Sequence, residues 1–364
     1  MNARSRTVWT PPRWCISAPH HRDYRVTVTS ERPLSRFTGA PRWMITASFA
    51  LVLSLAGALG IVRATNSALA DVARLEAVAP VLSGPSDEVV NYLLVGSDSR
   101  VGADPDDEDF AAVGSEDATP GMRSDTIIVV RRDLRTGEIA LMSVPRDLWV
   151  KIGDSGQHQR INAAYQRGPD VLVRTVQRAL NIPIHHYLEI DFSGFKRVVD
   201  AIGGVHVCVD APSRDKATGF YIGKRACKKV GGAQALAYAR SRFFEEKIDG
   251  SWRKDGTGDV GRGARQRMFV GRLAEDALAY LSRHPLESSS VFGAVTSAVS
   301  VDPALDLVDL GRQLRPLADG ASVSYNLPVD SGWAGDAFVF RLAKEAQPLL
   351  GYFSGVGQAP PPPG

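Results

Sequence analysis

The segment from Trp43 to Val62 constrains this chain most, because it runs for 20 residues without a charged side chain. A helix of that length, rising about 1.5 Å per residue, spans a hydrocarbon layer of roughly 30 Å. A helix in the core of a soluble domain is rarely so long and so free of charge. We therefore predict one transmembrane helix over Trp43–Val62.

The charges before this segment predict its orientation. Residues 1–42 contain eight arginines and two acidic residues, a net charge of +6, so the rest of the +3 chain carries −3. Positive charge before a membrane helix favours a cytoplasmic N-terminus and an extracytoplasmic C-terminal part. Ala68-Leu69-Ala70 resembles a signal-peptide cleavage site, but a 42-residue leader favours an uncleaved anchor. The chain is thus expected in the cell membrane with a single pass.

Composition along the chain predicts five regions. Residues 1–42, rich in Arg, Pro and Ser, are expected to form a disordered basic arm on the cytoplasmic side. The membrane helix 43–62 is followed by a linker at 63–86, an extracytoplasmic folded domain at 87–353 and a proline-rich tail at 354–364.

Apolar strands alternate with helical stretches in the region 87–353, which predicts an α/β/α sandwich around a central mixed sheet. The expected strands are Val89–Gly96, Thr126–Arg131, Glu138–Val144, His186–Ile190, Val205–Val209 and Val323–Leu327. The expected helices are Pro169–Leu180, Phe192–Ile202, Gln234–Arg242, Gly261–Ser282 and Asp336–Leu350.

Carboxylates lie at the ends of two predicted strands. Asp98, with Arg100 two residues later, follows the first strand, and Asp125 begins the second. Each aspartate alone is more simply explained as a turn or cap residue that bonds its own backbone. Together they could hold a divalent cation, since Mg²⁺ takes one or two carboxylates and completes its shell with phosphate oxygens and water.

Arginines concentrate in a predicted strand-end turn and at two predicted helix ends. Arg146 lies in a Pro-Arg-Asp turn, Arg240 and Arg242 end one helix, and Arg262 stands near the start of the next. Gln266 lies one turn after Arg262, with Arg265 beside it. A single arginine is usually a solvated surface residue, but several near a helix N-terminus favour an anion site. The set predicts a phosphate-rich ligand.

These segments, in this order behind a membrane anchor, resemble the LytR-CpsA-Psr family. The matching pieces are NYLLVGSDSR (91–100), RSDTIIVV (123–130), SVPRDLWV (143–150), INAAYQRG (161–168), EIDFSGFKRVVDAIGGVHV (189–207), GGAQALAYARSR (231–242) and DVGRGARQR (259–267).

The resemblance implies a deep apolar pocket for a polyprenyl chain and a phosphotransferase. Such an enzyme moves a glycopolymer from polyprenyl pyrophosphate to the muramic acid 6-hydroxyl of peptidoglycan and releases polyprenyl phosphate. It implies Mg²⁺ or Mn²⁺ on Asp98 and Asp125. Asp259 or Asp98 would act on the acceptor hydroxyl, with Arg146 also catalytic. The residues implied to bind the pyrophosphate are Arg100, Arg146, Arg240, Arg242, Arg262, Arg265 and Gln266.

Two of the three cysteines, Cys208 and Cys227, fall on the predicted extracytoplasmic side, where disulfides persist. A bridge between them is expected, with two buried free thiols as the alternative.

Two other functions remain open: a lipid-pyrophosphate hydrolase, and a non-catalytic lipid-binding or regulatory membrane protein. The basic arm has no helix-turn-helix pattern, so no nucleic-acid partner is expected. The histidines lack metal-ligand spacing, and neither a G-x-S-x-G elbow nor a P-loop is present.

Overall fold

A computed structural model describes residues 72–98, 124–256 and 258–361 of the chain. The predicted membrane helix Trp43–Val62 lies outside these residues. Within the described ranges, no helix has both the length and the hydropathy that crossing a membrane requires.

The elements alternate along the chain as an α/β protein. The strands are β1 (Ala73–Arg74), β2 (Val89–Ser97), β3 (Ser124–Asp133), β4 (Ile139–Ser143), β5 (Trp149–Lys151), β6 (His158–Arg160), β7 (His186–Ile190), β8 (Val205–Val209), β9 (Ser213–Asp215), β10 (Phe220–Ile222), β11 (Ala226–Val230), β12 (Glu245–Ile248), β13 (Ser251–Lys254), β14 (Val299–Val301), β15 (Ser322–Asn326), β16 (Val329–Ala334) and β17 (Ala337–Leu342). The helices are α1 (Pro169–Leu180), α2 (Phe192–Ala201), α3 (Gly232–Arg240), α4 (Gly258–Arg283), α5 (Ser288–Ala298), α6 (Leu307–Gln313), α7 (Arg315–Ala318) and α8 (Gln347–Phe353).

Seven strands form the central sheet in the order β1-β14-β7-β2-β3-β4-β15. The sheet is mixed: β3 is antiparallel to β2 and β4, whereas β7 is parallel to β2 and β15 is parallel to β4. The α/β class and the central mixed sheet are therefore confirmed.

Side chains alternate between the two faces of the sheet, as strand geometry requires. Leu93 and Val95 of β2 pack into the core under α1 and α8, while Leu94 belongs to the core on the opposite face, with residues from α4 to α7. A separate apolar cluster joins α2, α3 and α4 to strands β8, β10 and β11. Helices thus cover the sheet on both faces.

The segment before β2 packs on the domain. Strand β1 pairs in parallel with β14, and a 3-10 helix follows at Glu76–Val81. Val78 in that helix is fully buried in the core beneath α1. Residues 73–81, within the segment assigned to the linker, therefore belong structurally to the sheet and its core.

The prediction of a helix over Asp336–Leu350 is wrong. Strand β17 pairs with β16 as a hairpin, and α8 begins only at Gln347. The sequence Ala-Phe-Val-Phe-Arg-Leu alternates about a fully buried Val339, with Phe338 exposed, which is a strand period. Gly335, at φ 62°, provides the left-handed turn that closes the hairpin.

Cys208 and Cys227 form a disulfide between β8 and β11, where the two residues are direct register partners. The cross-link closes a loop with a sequence separation of 19 residues. A cross-link that closes a loop of this size stabilises a fold mainly because it restricts the unfolded chain. The expected gain in unfolding free energy is about 3 kcal/mol.

We expect the double replacement Cys208→Ser, Cys227→Ser to lower the unfolding free energy by about 3 kcal/mol. Urea denaturation followed by circular dichroism measures this, with Cys15→Ser as the control. A loss below about 0.5 kcal/mol, the size of an ordinary surface substitution, would contradict the prediction.

Candidate active site

An apolar cavity of about 280 Å³ lies between the central sheet and the helices on one face. The sheet contributes Leu94, Leu188 and Ile190, and the helices contribute Phe195 and Leu273, among others. Even-numbered residues of β2 and β7 reach this face together because β7 runs parallel to β2 and in register with it. The cavity is a hydrophobic space that water would fill poorly.

Polar side chains also line this cavity. Arg240, from the last turn of α3, lies with its guanidinium 4.5 Å from the centre of the Phe192 ring. Arg262, near the start of α4, is 4% exposed. Gln266 donates to the carbonyl of Ala239 at 3.1 Å, which ties α4 to the end of α3. Two guanidiniums thus stand in the wall of an apolar space.

A smaller crevice of about 30 Å³ shares Asp125, Arg262 and Gln266 with the cavity and adds Arg146 and Asn326 to the set. It joins the ends of β3, β4 and β15 to the start of α4. Arg146 forms an ion pair with Asp125, and its Nε lies 3.8 Å from the carboxylate of Asp147. The turn after β4 therefore brings Arg146 to Asp125, and Arg262 lines the same crevice.

The two predicted metal ligands lie at neighbouring strand ends. Asp98 directly follows β2, and Asp125 is the second residue of β3, beside the register pair Ser97 and Ser124. Within the described ranges, no three His, Cys, Asp or Glu residues group closely enough to hold a metal. Mg²⁺ usually takes one or two protein carboxylates and completes its shell with phosphate oxygens and water, so metal binding by Asp98 and Asp125 stays a prediction.

The remaining predicted ligands are placed differently. Arg265 donates to Asp255 at 2.8 Å and to the carbonyl of Ser241 at 2.8 Å, so it braces the loop after α3 and lines neither space described above. Arg242 lies in that same loop, also outside both linings. Arg100 and the side chain of Asp259 lie outside the described residues.

A buried carboxylate that the sequence did not single out fixes the chain after Arg240. Asp215 is fully buried, and its Oδ2 accepts from the Ser241 hydroxyl at 2.6 Å and from the backbone N–H groups of Arg242 and Phe243 at 3.0 and 2.9 Å. Asp215 thus positions the turn that follows α3. No local pattern marks it, because its partners lie 26 to 28 residues away.

Asp191, which is half-buried, is a second carboxylate that the sequence did not single out. It caps α2 by accepting from the N–H of Gly194 at 2.6 Å, and it lines the cavity beside Phe192. The aspartate before a helical stretch was a readable N-cap signal.

Glu189 lies on the other face of the sheet and was also missed. Its Oε2 accepts from the hydroxyls of Tyr187 at 2.6 Å and Tyr165 at 3.1 Å. Burial raises the pKa of Glu189 above its ordinary value, although the two tyrosine hydrogen bonds oppose the shift.

This shift makes stability depend on pH. A carboxyl whose pKa is raised on folding binds more protons in the native state, so its contribution falls as pH rises above the unfolded value. We expect Glu189→Gln to remove that loss while keeping an acceptor for the tyrosines. Urea denaturation from pH 4 to 8 should show wild type losing stability relative to the variant as pH rises. A constant difference across that range would contradict the assignment.

Fold and site together define an α/β protein that carries arginines in the wall of an apolar cavity, at the ends of its central strands. The chain belongs to the LytR-CpsA-Psr family, whose model matches residues 60–347.

Relatives of known name share this region. The probable cell wall biosynthesis protein LcpB of Corynebacterium glutamicum is 38% identical over 188 residues, 51% of this chain and 42% of that protein. The polyisoprenyl-teichoic acid–peptidoglycan teichoic acid transferase TagU of Enterococcus faecalis is 34% identical over 186 residues, 51% of this chain and 55% of its own. The chain thus spans about half the length of these curated relatives.

Solved structures share the fold. A LytR-Csp2A-Psr enzyme from Actinomyces oris superposes with a TM-score of 0.56 at 22% identity, covering 78% of this chain and 95% of that one. TagT of Bacillus subtilis gives 0.53 at 21% identity, covering 78% and 99%. TagT has also been solved bound to LI-WTA.

Proposed function

We propose that this chain is an extracytoplasmic phosphotransferase that moves a glycopolymer from polyprenyl pyrophosphate to peptidoglycan. The observation that carries the proposal is the joining of Arg240 and Arg262 to an apolar cavity of about 280 Å³. A lipid pyrophosphate has the same two parts, an apolar chain and an anionic head.

The cavity suits the prenyl chain. Its walls are the branched and aromatic side chains of β2, β7, α2 and α4, and burying apolar ligand surface there is favourable by about 25 cal/mol per Å². The stretch from Phe192 to Val199 supplies Phe192, Phe195 and Val198 to the wall, while Val199 is buried in the separate core of α2 and α4.

The arginines suit the pyrophosphate. Guanidiniums bind phosphate oxygens in pairs of hydrogen bonds, and those of Arg240 and Arg262 are held by the packing of α3 and α4. Charge that develops on the phosphoryl oxygens during transfer would be stabilised by such fixed donors without reorganisation. Arg146, in the crevice, would contact the same phosphoryl group from the β4 side.

The reaction is an in-line exchange at phosphorus. The muramic acid 6-hydroxyl attacks the phosphorus nearer the sugar, the bond to the bridging oxygen breaks, and polyprenyl phosphate leaves. Asp98 or Asp259 would take the hydroxyl proton. Mg²⁺ or Mn²⁺, held by Asp98 and Asp125 with phosphate oxygens, would supply charge neutralisation when bound.

The named relatives support the transfer. TagU is a teichoic acid transferase acting on peptidoglycan, and LcpB is a probable cell wall biosynthesis protein. The catalytic domain would lie outside the cell, behind the membrane helix Trp43–Val62, with peptidoglycan and a lipid-linked glycopolymer as partners and no nucleic acid.

Incubation of the full chain in detergent with Mg²⁺, a synthetic polyprenyl-pyrophosphate oligosaccharide and peptidoglycan oligomers tests the proposal by mass spectrometry. A phosphodiester between sugar and muramic acid is the expected product. Free phosphorylated oligosaccharide alone would identify a hydrolase instead. Lipid binding with no product of either kind would identify a lipid-binding protein.

A further inference from the structure

A second cavity, of about 250 Å³, lies beside α4 on a different face from the apolar one. The residues of α4 that line the apolar cavity include Arg262, Gln266 and Leu273, which share one face at a period of 3.6 residues. Those lining the second space include Arg267 and Arg272, on the other side of the helix. We call this second space the polar groove.

Arg267 is the unusual residue of the polar groove. It is 5% exposed, and its Nη2 donates to Oδ1 of Asn326 at 2.6 Å. Within the described ranges, its Nε and Nη1 find no hydrogen-bond partner. Burial lowers the pKa of Arg267 to about 10. Because a buried donor without an acceptor is costly, a group of this kind is a natural place for a ligand's oxygen.

Arg267 also connects the groove to the crevice of the candidate active site. A β-carbon built on Gly263 would lie 3.5 Å from Nη1 of Arg267 and 3.4 Å from the β-carbon of Ser143. Gly263, Ser143 and Asn326 all line the crevice that contains Asp125 and Arg146. The guanidinium of Arg267 therefore lies between the groove, which it lines, and the residues that line the crevice.

The rest of the groove combines polar and apolar side chains: Phe269 and Leu317 line it, and Arg272 pairs with Glu275 at 2.6 Å. Ser322 and Ser324 come from the edge strand β15, on the same face as Asn326, while His206 comes from β8 and Arg272 from α4. Arg262 and Arg272 are ten residues apart, so α4 carries the groove about 15 Å away from the crevice. The hydroxyls of Ser322 and Ser324 and the side chains of His206 and Arg272 offer hydrogen bonds to a chain of sugars.

We propose that the polar groove binds a saccharide chain bearing a carboxylate or phosphate and guides it to the crevice at Asp125 and Arg146. This rests on the proposed function and extends it to a subsite. Arg267 would meet the anionic group, and the serines and His206 would meet hydroxyls. The saccharide could be the peptidoglycan acceptor or the glycopolymer of the donor, which share this chemistry.

Binding measurements on the full chain in detergent test the groove without relying on turnover. The probes are a peptidoglycan tetrasaccharide, a phosphodiester-linked hexamer of N-acetylglucosamine and farnesyl pyrophosphate. The variants are Arg267→Met and Arg272→Glu, with Arg283→Glu as the matched control, since Arg283 is exposed in the last turn of the same helix and lies outside the groove.

We expect both groove variants to weaken one of the two saccharide probes about tenfold or more, because each removes a charged hydrogen-bond donor. Loss with the tetrasaccharide assigns the groove to the acceptor, and loss with the hexamer assigns it to the donor's polymer. Farnesyl pyrophosphate affinity close to wild type shows that the variants are folded. If Arg267→Met fails to fold, the surface variant Arg272→Glu carries the test.

The proposal is overturned if wild type binds neither saccharide, or if the groove variants bind both as tightly as Arg283→Glu does. This failure is distinct from failure of the proposed function. If the chain transfers the glycopolymer but the groove variants bind both saccharides like the control, the proposed function stands and only the saccharide subsite is disproved.

Discussion

Replacing Arg262 by methionine should reduce glycopolymer transfer by about 10²–10³-fold, the loss typical when one fixed donor to a developing negative charge is removed. Arg262 lines both the apolar cavity and the crevice with Asp125. It is therefore the arginine placed to meet a pyrophosphate at the junction of the two spaces. Methionine keeps an unbranched apolar stem against the cavity wall, so the change removes mainly the charge.

The measurement is kcat/KM for phosphodiester formation, with folding checked by thermal unfolding. Arg262→Lys should recover only part of the rate, since an ammonium cannot reproduce the paired hydrogen bonds of a guanidinium. Arg283→Met, the same substitution at an exposed position of α4, is the control. If the kcat/KM of Arg262→Met lies within about threefold of that control, Arg262 does not bind the transferred phosphate.

Filling the apolar cavity should strongly reduce transfer from a long-chain donor. Val295 of α5 lines the cavity of about 280 Å³, and tryptophan there would occupy much of the space that a prenyl chain needs. We expect Val295→Trp to lower transfer from a long polyprenyl donor by about 100-fold, since burial of even a few methylenes is worth about 0.8 kcal/mol each.

A donor with a short prenyl chain separates blocking from misfolding. Val295→Trp should use it far better, relative to wild type, than it uses the long-chain donor. Val308→Trp, a half-buried valine of α6 outside the cavity lining, tests the effect of adding an indole elsewhere. Equal losses with both donors would mean that the cavity does not hold the prenyl chain.

Much of the fold could be predicted from local sequence. The strand at β2 and the helix at α1 were placed within about a residue, because continuous apolar runs and a 3.6-residue period leave little choice. The hairpin of β16 and β17 was missed, since its exposed Trp333 and Phe338 weaken the pattern of a half-buried strand. Strand β1 was missed for a different reason, because a strand of two residues is too short to show an alternating apolar pattern.

The site could be predicted in part. Arg146, Arg240, Arg262 and Gln266 were chosen for their residue type and their position at element ends, and the structure places all four around the cavity and crevice. Arg265, three residues after Arg262 and next to Gln266, faces Asp255 and Phe244 instead. Adjacent positions on a helix point in different directions, so proximity in sequence did not settle its orientation.

Local periodicity and side-chain chemistry are enough to predict the kinds of element, the mixed α/β class and the residue types available for an anionic ligand. Tertiary structure decided which of them meet. The pairing of Arg146 with Asp125, the burial of Asp215 under the turn after α3 and the junction at Arg267 join residues 21 or more positions apart. Such contacts depend on how the sheet and α4 pack, and no local pattern encodes that packing.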